Sequence, residues 1–180
     1  MFKRGVRIEG LKDSKKLSPL QRQKLLGEIC KKALCFSVIA KDNFIIDEIN
    51  ILNATLLAMK CAIESLKVKP DLCIVDGNRK VKNLFIEQET IVKGDNFSAA
   101  IAAASVLAKE ERDKIMRSYA KDFPNYCFDK HKGYATAQHV KALGQFGPCP
   151  IHRKTFAPVR EASKFGKLEN RRLLCHKQDV

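Results

Sequence analysis

The 180 residues carry 34 lysines and arginines against 20 acids, a formal charge of +14, and 45% of them are hydrophobic. That length suits one domain with a packed core, and the apolar fraction excludes a disordered chain. The positive excess favours a polyanionic partner, because each neutralised phosphate releases condensed counterions, although a merely basic surface gives the same total.

Ser18-Pro19 reads as an N-cap and a first helical residue. Leu25, Leu26, Ile29, Cys30 and Ala33 then recur at helical spacing, so the first helix ends near residue 33. Residues 34–40 have the length and content of a buried strand. Asp47 can cap a second helix with Leu52, Leu56, Met59, Ile63 and Leu66 on its core face, and Pro70 stops it. Leu72-Cys73-Ile74-Val75 is wholly apolar, as in strands covered on both faces of an α/β sheet, and it ends at Asp76-Gly77. A second short strand, Thr90-Ile91-Val92, leads into Lys93-Gly94-Asp95.

A long helix is expected from about Ser98, with Ile101, Ser105, Ala108, Arg112, Ile115 and Tyr119 on one face. Alanines at 99, 100 and 102–104 would let its backbone approach the sheet closely. Gly133, Gly144, Gly147, Pro148 and Pro150 mark turns around a shorter helix near residues 136–144. The organisation is therefore one α/β domain over residues 1–160, followed by a basic, aperiodic tail over 161–180.

Seven cysteines include no C-x-x-C pair, and Cys149 and His152 form a C-x-x-H pair without a second ligand cluster, so no zinc site is expected. Free thiols in odd number suit a reducing compartment. No signal-peptide pattern opens the chain, and no apolar run approaches the ~20 residues of a membrane helix. A cytoplasmic protein without a membrane partner is expected.

Asp76 stands where open α/β sheets place ligand-binding groups, at the C-terminal end of a strand, although an aspartate before glycine also fits a plain turn. Asp95 follows the second strand, where a helix cap is the simpler role. Both can reach one edge of the sheet, and convergent carboxylates suit a hard divalent ion, Mg2+ or Mn2+. Ser14 and Lys15 lie in a Lys-Asp-Ser-Lys-Lys run ahead of a helix, a combination that suits phosphate or is simply a solvated charge run. Lys130-His131-Lys132-Gly133-Tyr134 sets cations beside a ring that could stack on a sugar or base, or could sit half-buried in a surface loop.

Together, Gly10-Leu11-Lys12-Asp13-Ser14-Lys15-Lys16-Leu17, Asp47-Glu48-Ile49-Asn50-Ile51-Leu52, Val75-Asp76-Gly77-Asn78, Ile91-Val92-Lys93-Gly94-Asp95, the alanine-rich run 101–109, Arg112-Asp113, His131-Lys132-Gly133-Tyr134 and Gly147-Pro148-Cys149-Pro150-Ile151-His152-Arg153 resemble ribonuclease HII, in the family's order. The resemblance covers about residues 10–160. It implies a ribonuclease-H-like mixed sheet flanked by helices, and hydrolysis of the RNA strand of RNA–DNA hybrids, including ribonucleotides embedded in duplex DNA. It implies Mg2+ or Mn2+ held by four acidic groups, with Asp76 and Asp95 as two of them and as catalytic residues. Tyr134 would read the RNA-to-DNA junction, and Ser14, Lys15 and Lys93 would contact phosphates. Asp113 is expected to be structural, and a monomer is expected.

The family's opening D-E-A-G-R-G strand has no counterpart here. The chain then carries two of four acidic ligands, is N-terminally truncated relative to the family, and is expected to be inactive or nearly so. A non-catalytic or vestigial nucleic-acid-binding protein is the alternative.

Overall fold

The computed structural model describes residues 1–3, 5–11 and 14–163. Its elements are α1 (Pro19–Lys32), α2 (Asn43–Glu64), β1 (Leu72–Asp76), β2 (Glu87–Ile91), α3 (Ala99–Asp122), α4 (Phe128–His131) and α5 (Ala137–Phe146), with 3-10 turns at Ser14–Lys16, Gly94–Asn96 and Pro124–Tyr126. The fold class is α/β. Two compact units divide the chain: Met1–Lys41 with Leu52–Arg112, and Asp42–Ile51 with the residues from Asp113 onward. No helix among the described residues is long and apolar enough to cross a membrane.

In the first unit, α1 begins where Ser18-Pro19 placed it. The Ser18 hydroxyl accepts from the Gln21 amide at 3.3 Å, and the Gln21 side chain accepts from the Ser18 amide at 2.9 Å. This reciprocal box satisfies two amides that a helix start otherwise leaves unpaired. Leu25 and Ile29 of α1 form a core cluster with Leu17 and with Ala103, Val106 and Leu107 of α3. The buried stripe of α3 is thus Ile101, Ala102, Ala103, Val106 and Leu107, rotated from the expected face, on which Ala108 is exposed and Ser105 half-buried. Small side chains at 102 and 103 are what allow that rotation, since close approach of α1 outweighs burial of the larger residues further along. Inside this packing, Arg22 Nε lies 2.7 Å from Glu110 Oε1, and Arg22 Nη1 donates to the Leu17 carbonyl at 2.8 Å.

β1 and β2 pair in parallel, Leu72 opposite Glu87 and Asp76 opposite Ile91. The link between them contains no helix; Gln88 braces it, accepting from the Val81 amide at 2.8 Å and donating to the Val81 carbonyl at 3.1 Å. Three expectations need correction. β2 starts at Glu87 and ends before Val92, which is 62% exposed. β1 is covered only in part, with Val75 buried and Leu72 41% exposed. Residues 34–40 are not assigned as a strand, because a strand requires a ladder partner and this stretch contributes only its edge: the Leu34 amide donates to Met1, the N-terminal amine donates to Cys35, and Phe2 bridges Ala33. The sheet described is therefore a parallel pair, with the antiparallel component of the expected mixed sheet confined to that one bridge.

The second unit has its own core of Tyr126, Phe128, Ala142, Leu143, Val159 and Ala162. Tyr126 and Phe128 stack with centroids 5.3 Å apart, and the Tyr126 hydroxyl donates to the Gly147 carbonyl at 2.7 Å. Residues 157–163 are helical and include Ala162, while the remainder of the expected tail, 164–180, lies outside the described residues. Asp47 is not the cap of its own helix. α2 already starts at Asn43, with Asp42 Oδ1 accepting from the Ile45 amide at 2.9 Å. Asp47 instead accepts from the amides of Lys154 (2.7 Å) and Thr155 (3.0 Å) and from the Thr155 hydroxyl. Burial pulls its carboxyl upward, but the bonds from Thr155 and Lys154 and the nearby Arg153 charge win, and its pKa is lowered. Helical dihedrals are interrupted at Asn50, with φ 66° and ψ 165°.

Arg22→Ala should lower stability by about 3 kcal/mol, because it leaves Glu110 poorly solvated and unpaired. The double change Arg22→Leu with Glu110→Leu should recover most of that loss. Urea unfolding of both proteins checks this; a single variant as stable as the parent would show that the pair contributes nothing.

Candidate acidic site and tyrosine platform

Asp76 is the last residue of β1 and is exposed. Gly77 follows with φ +111°, a conformation that side-chain-bearing residues rarely adopt, and its amide donates to the Ile91 carbonyl at 2.9 Å. The ladder is thereby continued one residue past Asp76 while the chain turns away, leaving the carboxylate at the C-terminal end of the parallel pair. The amide of Gly94 donates to Asp76 Oδ1 at 2.9 Å. Gly94 is buried, and a Cβ there would collide with the Ile101 side chain and lie 3.6 Å from Asp76 Oδ1. A side chain here would require Ile101 to give way.

Lys93, just before it, has a left-handed backbone (φ 56°, ψ 40°) and an exposed side chain. That conformation is unfavourable for a residue with a Cβ and turns the chain out of β2. Asp95 follows in the first turn of the 3-10 helix, half-buried, with Oδ1 accepting from Asn96 Nδ2 at 3.0 Å. Asp76 thus ends β1, and Lys93 and Asp95 flank the glycine whose amide bonds it. Carboxylate oxygens are hard donors that suit Mg2+ or Mn2+, and each group keeps lone pairs beyond the bonds just named. Among the described residues no cluster of three or more potential metal ligands forms.

Ser14 and Lys15 lie on the 3-10 turn ahead of α1; Ser14 is buried at 6% exposure, and Lys15 is exposed. Asp113 is 3% exposed on α3.

Tyr134 belongs to the second unit and is 56% exposed. Its peptide is held on every side. Lys132 (φ 52°) and Gly133 (φ +80°) turn the chain after α4, and the Tyr134 amide donates to the His131 carbonyl at 2.9 Å. The Tyr134 carbonyl accepts from the Thr136 amide at 2.8 Å and from His139 Nδ1 at 3.0 Å. Thr136 also N-caps α5 through the His139 amide. His139 Nε2 lies 3.0 Å from His152 Nε2, and His152 Nδ1 accepts from the Cys149 amide at 2.9 Å. His131 stacks on His139, centroids 4.4 Å apart, accepts from the Gly133 amide and bonds the Tyr126 carbonyl at 2.6 Å.

All three imidazoles are buried. Burial, then the neighbouring imidazoles, push His152 down to about 4; burial, against the Tyr134 carbonyl, also lowers His139. Burial likewise raises the thiol of Cys149, which stays neutral. Reading the motifs found Tyr134 but missed this support. The available signal was that three of the four histidines fall between residues 131 and 152.

A family model described as "Ribonuclease HII" matches residues 3–159. Among curated proteins, the ribonuclease HII of Endomicrobium trichonymphae is 55% identical, covering 89% of this chain and 77% of that protein. The ribonuclease HII of Caldicellulosiruptor bescii is 52% identical over 83% of this chain and 72% of its own length. Among solved structures, the ribonuclease H2 of Pyrococcus horikoshii OT3 superposes with a TM-score of 0.71 at 23% identity, covering 88% of this chain and 82% of that one. This last likeness establishes the ribonuclease-H2-type fold.

Gly94→Ala should cost about 1–3 kcal/mol through overpacking against Ile101, measured by urea unfolding, and a neutral result would mean that Ile101 moves aside freely. A second prediction follows from His152. Its folded pKa of about 4 lies below its ordinary 6.5, so the unfolded chain binds the extra proton between these values. Its contribution is complete above pH 6.5 and is lost as pH falls toward 4, by about 3 kcal/mol in all. A histidine NMR titration should place the His152 midpoint well below that of an exposed imidazole; a midpoint near 6.5 contradicts this.

Proposed function

Because the chain belongs to the ribonuclease HII family, we propose that its substrate is the RNA strand of RNA–DNA hybrids, or ribonucleotides embedded in duplex DNA, cut by metal-dependent phosphodiester hydrolysis. The observation that supports this reading is the closure of Gly94 onto Asp76, with Asp95 the next residue after that glycine. Oxygen donors from two separate segments, with exposed Lys93 beside them, suit a site where a phosphate meets a divalent cation. Asp76 and Asp95 would hold Mg2+ or Mn2+, which supplies Lewis acidity and an activated water to such a reaction. The chain's own residues do the rest: Asp76 and Asp95 orient the cation, Lys93 and Lys15 neutralise backbone phosphates, and Tyr134 meets the sugar or base at the junction. Ser14 would join that phosphate contact only if its buried hydroxyl becomes accessible. The net charge of +14 supports a salt-sensitive grip on the duplex.

A second reading is binding without turnover, since two acidic residues, Asp76 and Asp95, match the family's motifs here. The two readings separate in one assay. With manganese and a duplex carrying a single ribonucleotide, the purified 180-residue chain should bind; cutting supports the enzyme reading and binding without cutting supports the second. Robust metal-dependent cutting would establish the enzyme reading for this chain alone. In calorimetric titration with manganese, Asp76→Asn and Asp95→Asn should each weaken binding by about tenfold or more, as expected when one carboxylate leaves a shell of few ligands. Parent-like manganese binding by either variant removes that residue from the site.

A further inference from the structure

We propose that His139 is a positioning residue for nucleic-acid recognition: a tautomer imposed on it by His152 fixes the Tyr134 peptide, so that the Tyr134 ring is presented in a preset orientation. This rests on the reading of Tyr134 as a nucleic-acid contact and adds the residues that would make that contact precise.

The tautomers follow from the hydrogen bonds. The Cys149 backbone N–H can only donate, and it points at His152 Nδ1 from 2.9 Å, so that nitrogen carries a lone pair. The Cys149 thiol and carbonyl also approach Nδ1, at 3.0 and 3.3 Å, but a thiol can itself donate to a lone pair, and the amide, at the shortest contact, has no choice of role. In a neutral imidazole the proton then sits on His152 Nε2, which donates to His139 Nε2 across 3.0 Å. His139 Nε2 is thereby the acceptor, its proton sits on Nδ1, and Nδ1 donates to the Tyr134 carbonyl at 3.0 Å. A backbone amide thus sets a polarity that passes through two rings and ends on the tyrosine peptide.

The other tautomer of His139 would put two N–H groups face to face and two lone pairs at Tyr134. An added proton on His139 would do the same at the central contact, and one on His152 would set a second N–H against the Cys149 amide; burial disfavours both. His131 completes the clamp: its Nδ1 accepts from Gly133 and its carbonyl from Tyr134, while its ring lies flat on His139. Both the amide and the carbonyl of Tyr134 are therefore bound, yet the residue itself is more than half exposed. Backbone bonded at both ends beneath an exposed tyrosine is the arrangement of a preorganised contact, in which ordering is complete before the ligand arrives.

Two near-isosteric changes separate the two ends of His139. Asparagine can place an amide N–H where Nδ1–H stood, keeping the bond to Tyr134 but not the reach to His152. Glutamine can reach His152 but offers no donor at the Nδ1 position. The probe is a DNA duplex with one embedded ribonucleotide, compared with the same all-DNA duplex, each bound to the full chain and followed by fluorescence anisotropy with manganese present. His139→Asn should keep the preference for the ribonucleotide within about twofold, while His139→Gln should reduce it about tenfold, the loss expected for one hydrogen bond. Equal loss in both variants, or a preference retained by His139→Gln, overturns the positioning role. If Tyr134→Ala retains the preference, the reading of Tyr134 itself fails and the proposal fails with it. If Tyr134→Ala loses it while His139→Gln does not, only the positioning role fails. Long-range proton–nitrogen NMR of the unmutated chain gives a readout that survives misfolded variants. It should find His152 protonated at Nε2 and His139 at Nδ1, and any other assignment overturns the proposal.

Discussion

One hydrogen bond, from the Gly94 amide to the Asp76 carboxylate, governs the geometry of the acidic edge. It forms only because β1 and β2 run parallel and in a register that sets Asp76 opposite Ile91, so that the chain leaving β2 passes directly over the end of β1. It is also eased by a residue without a side chain, since Ile101 occupies the space a Cβ would take. The left-handed backbone at Lys93 makes the sharp exit from β2. Strand register, a missing Cβ and a strained lysine therefore act on a single point. Asp95 is where it is as a result, not through any bond of its own carboxylate to Asp76.

The second unit solves a different problem by the same means. Its aromatic core encloses three imidazoles: His139 and His152, which burial disfavours as cations, bond to each other, and His131 stacks on His139 and bonds the Tyr126 carbonyl. Charge is kept outside, on Lys130 and the other exposed basic residues of the segment. A basic surface over a neutral polar interior keeps attraction for phosphate separate from the interactions that hold the loop.

Much of this was legible in sequence where local rules act alone. The Ser18-Pro19 start of α1, the strand ending at Asp76, the helix from residue 99 and α5 all lie close to their expected positions, because caps, prolines and short apolar runs decide them without reference to distant residues. The motif residues Asp76 and Asp95 were legible as candidates, although nothing in the spacing showed that Gly94 closes the gap. What the sequence concealed depended on partners. The buried face of α3 is chosen by α1, residues 34–40 need a neighbour to become a strand, and Asp47 serves a loop more than a hundred residues away. The histidine chain was concealed for the same reason: a buried imidazole is recognised by what surrounds it.

The short link between β1 and β2 bears on how the molecule is assembled. Parallel strands usually wait for a long crossover to fold before they can meet, but here the joined segment is brief and Gln88 fastens it from within. Closing so small a loop carries little entropic cost, and contacts of short range form quickly. The two aspartates thus stand on a stretch held by contacts of short sequence separation, whose loop closure costs little entropy.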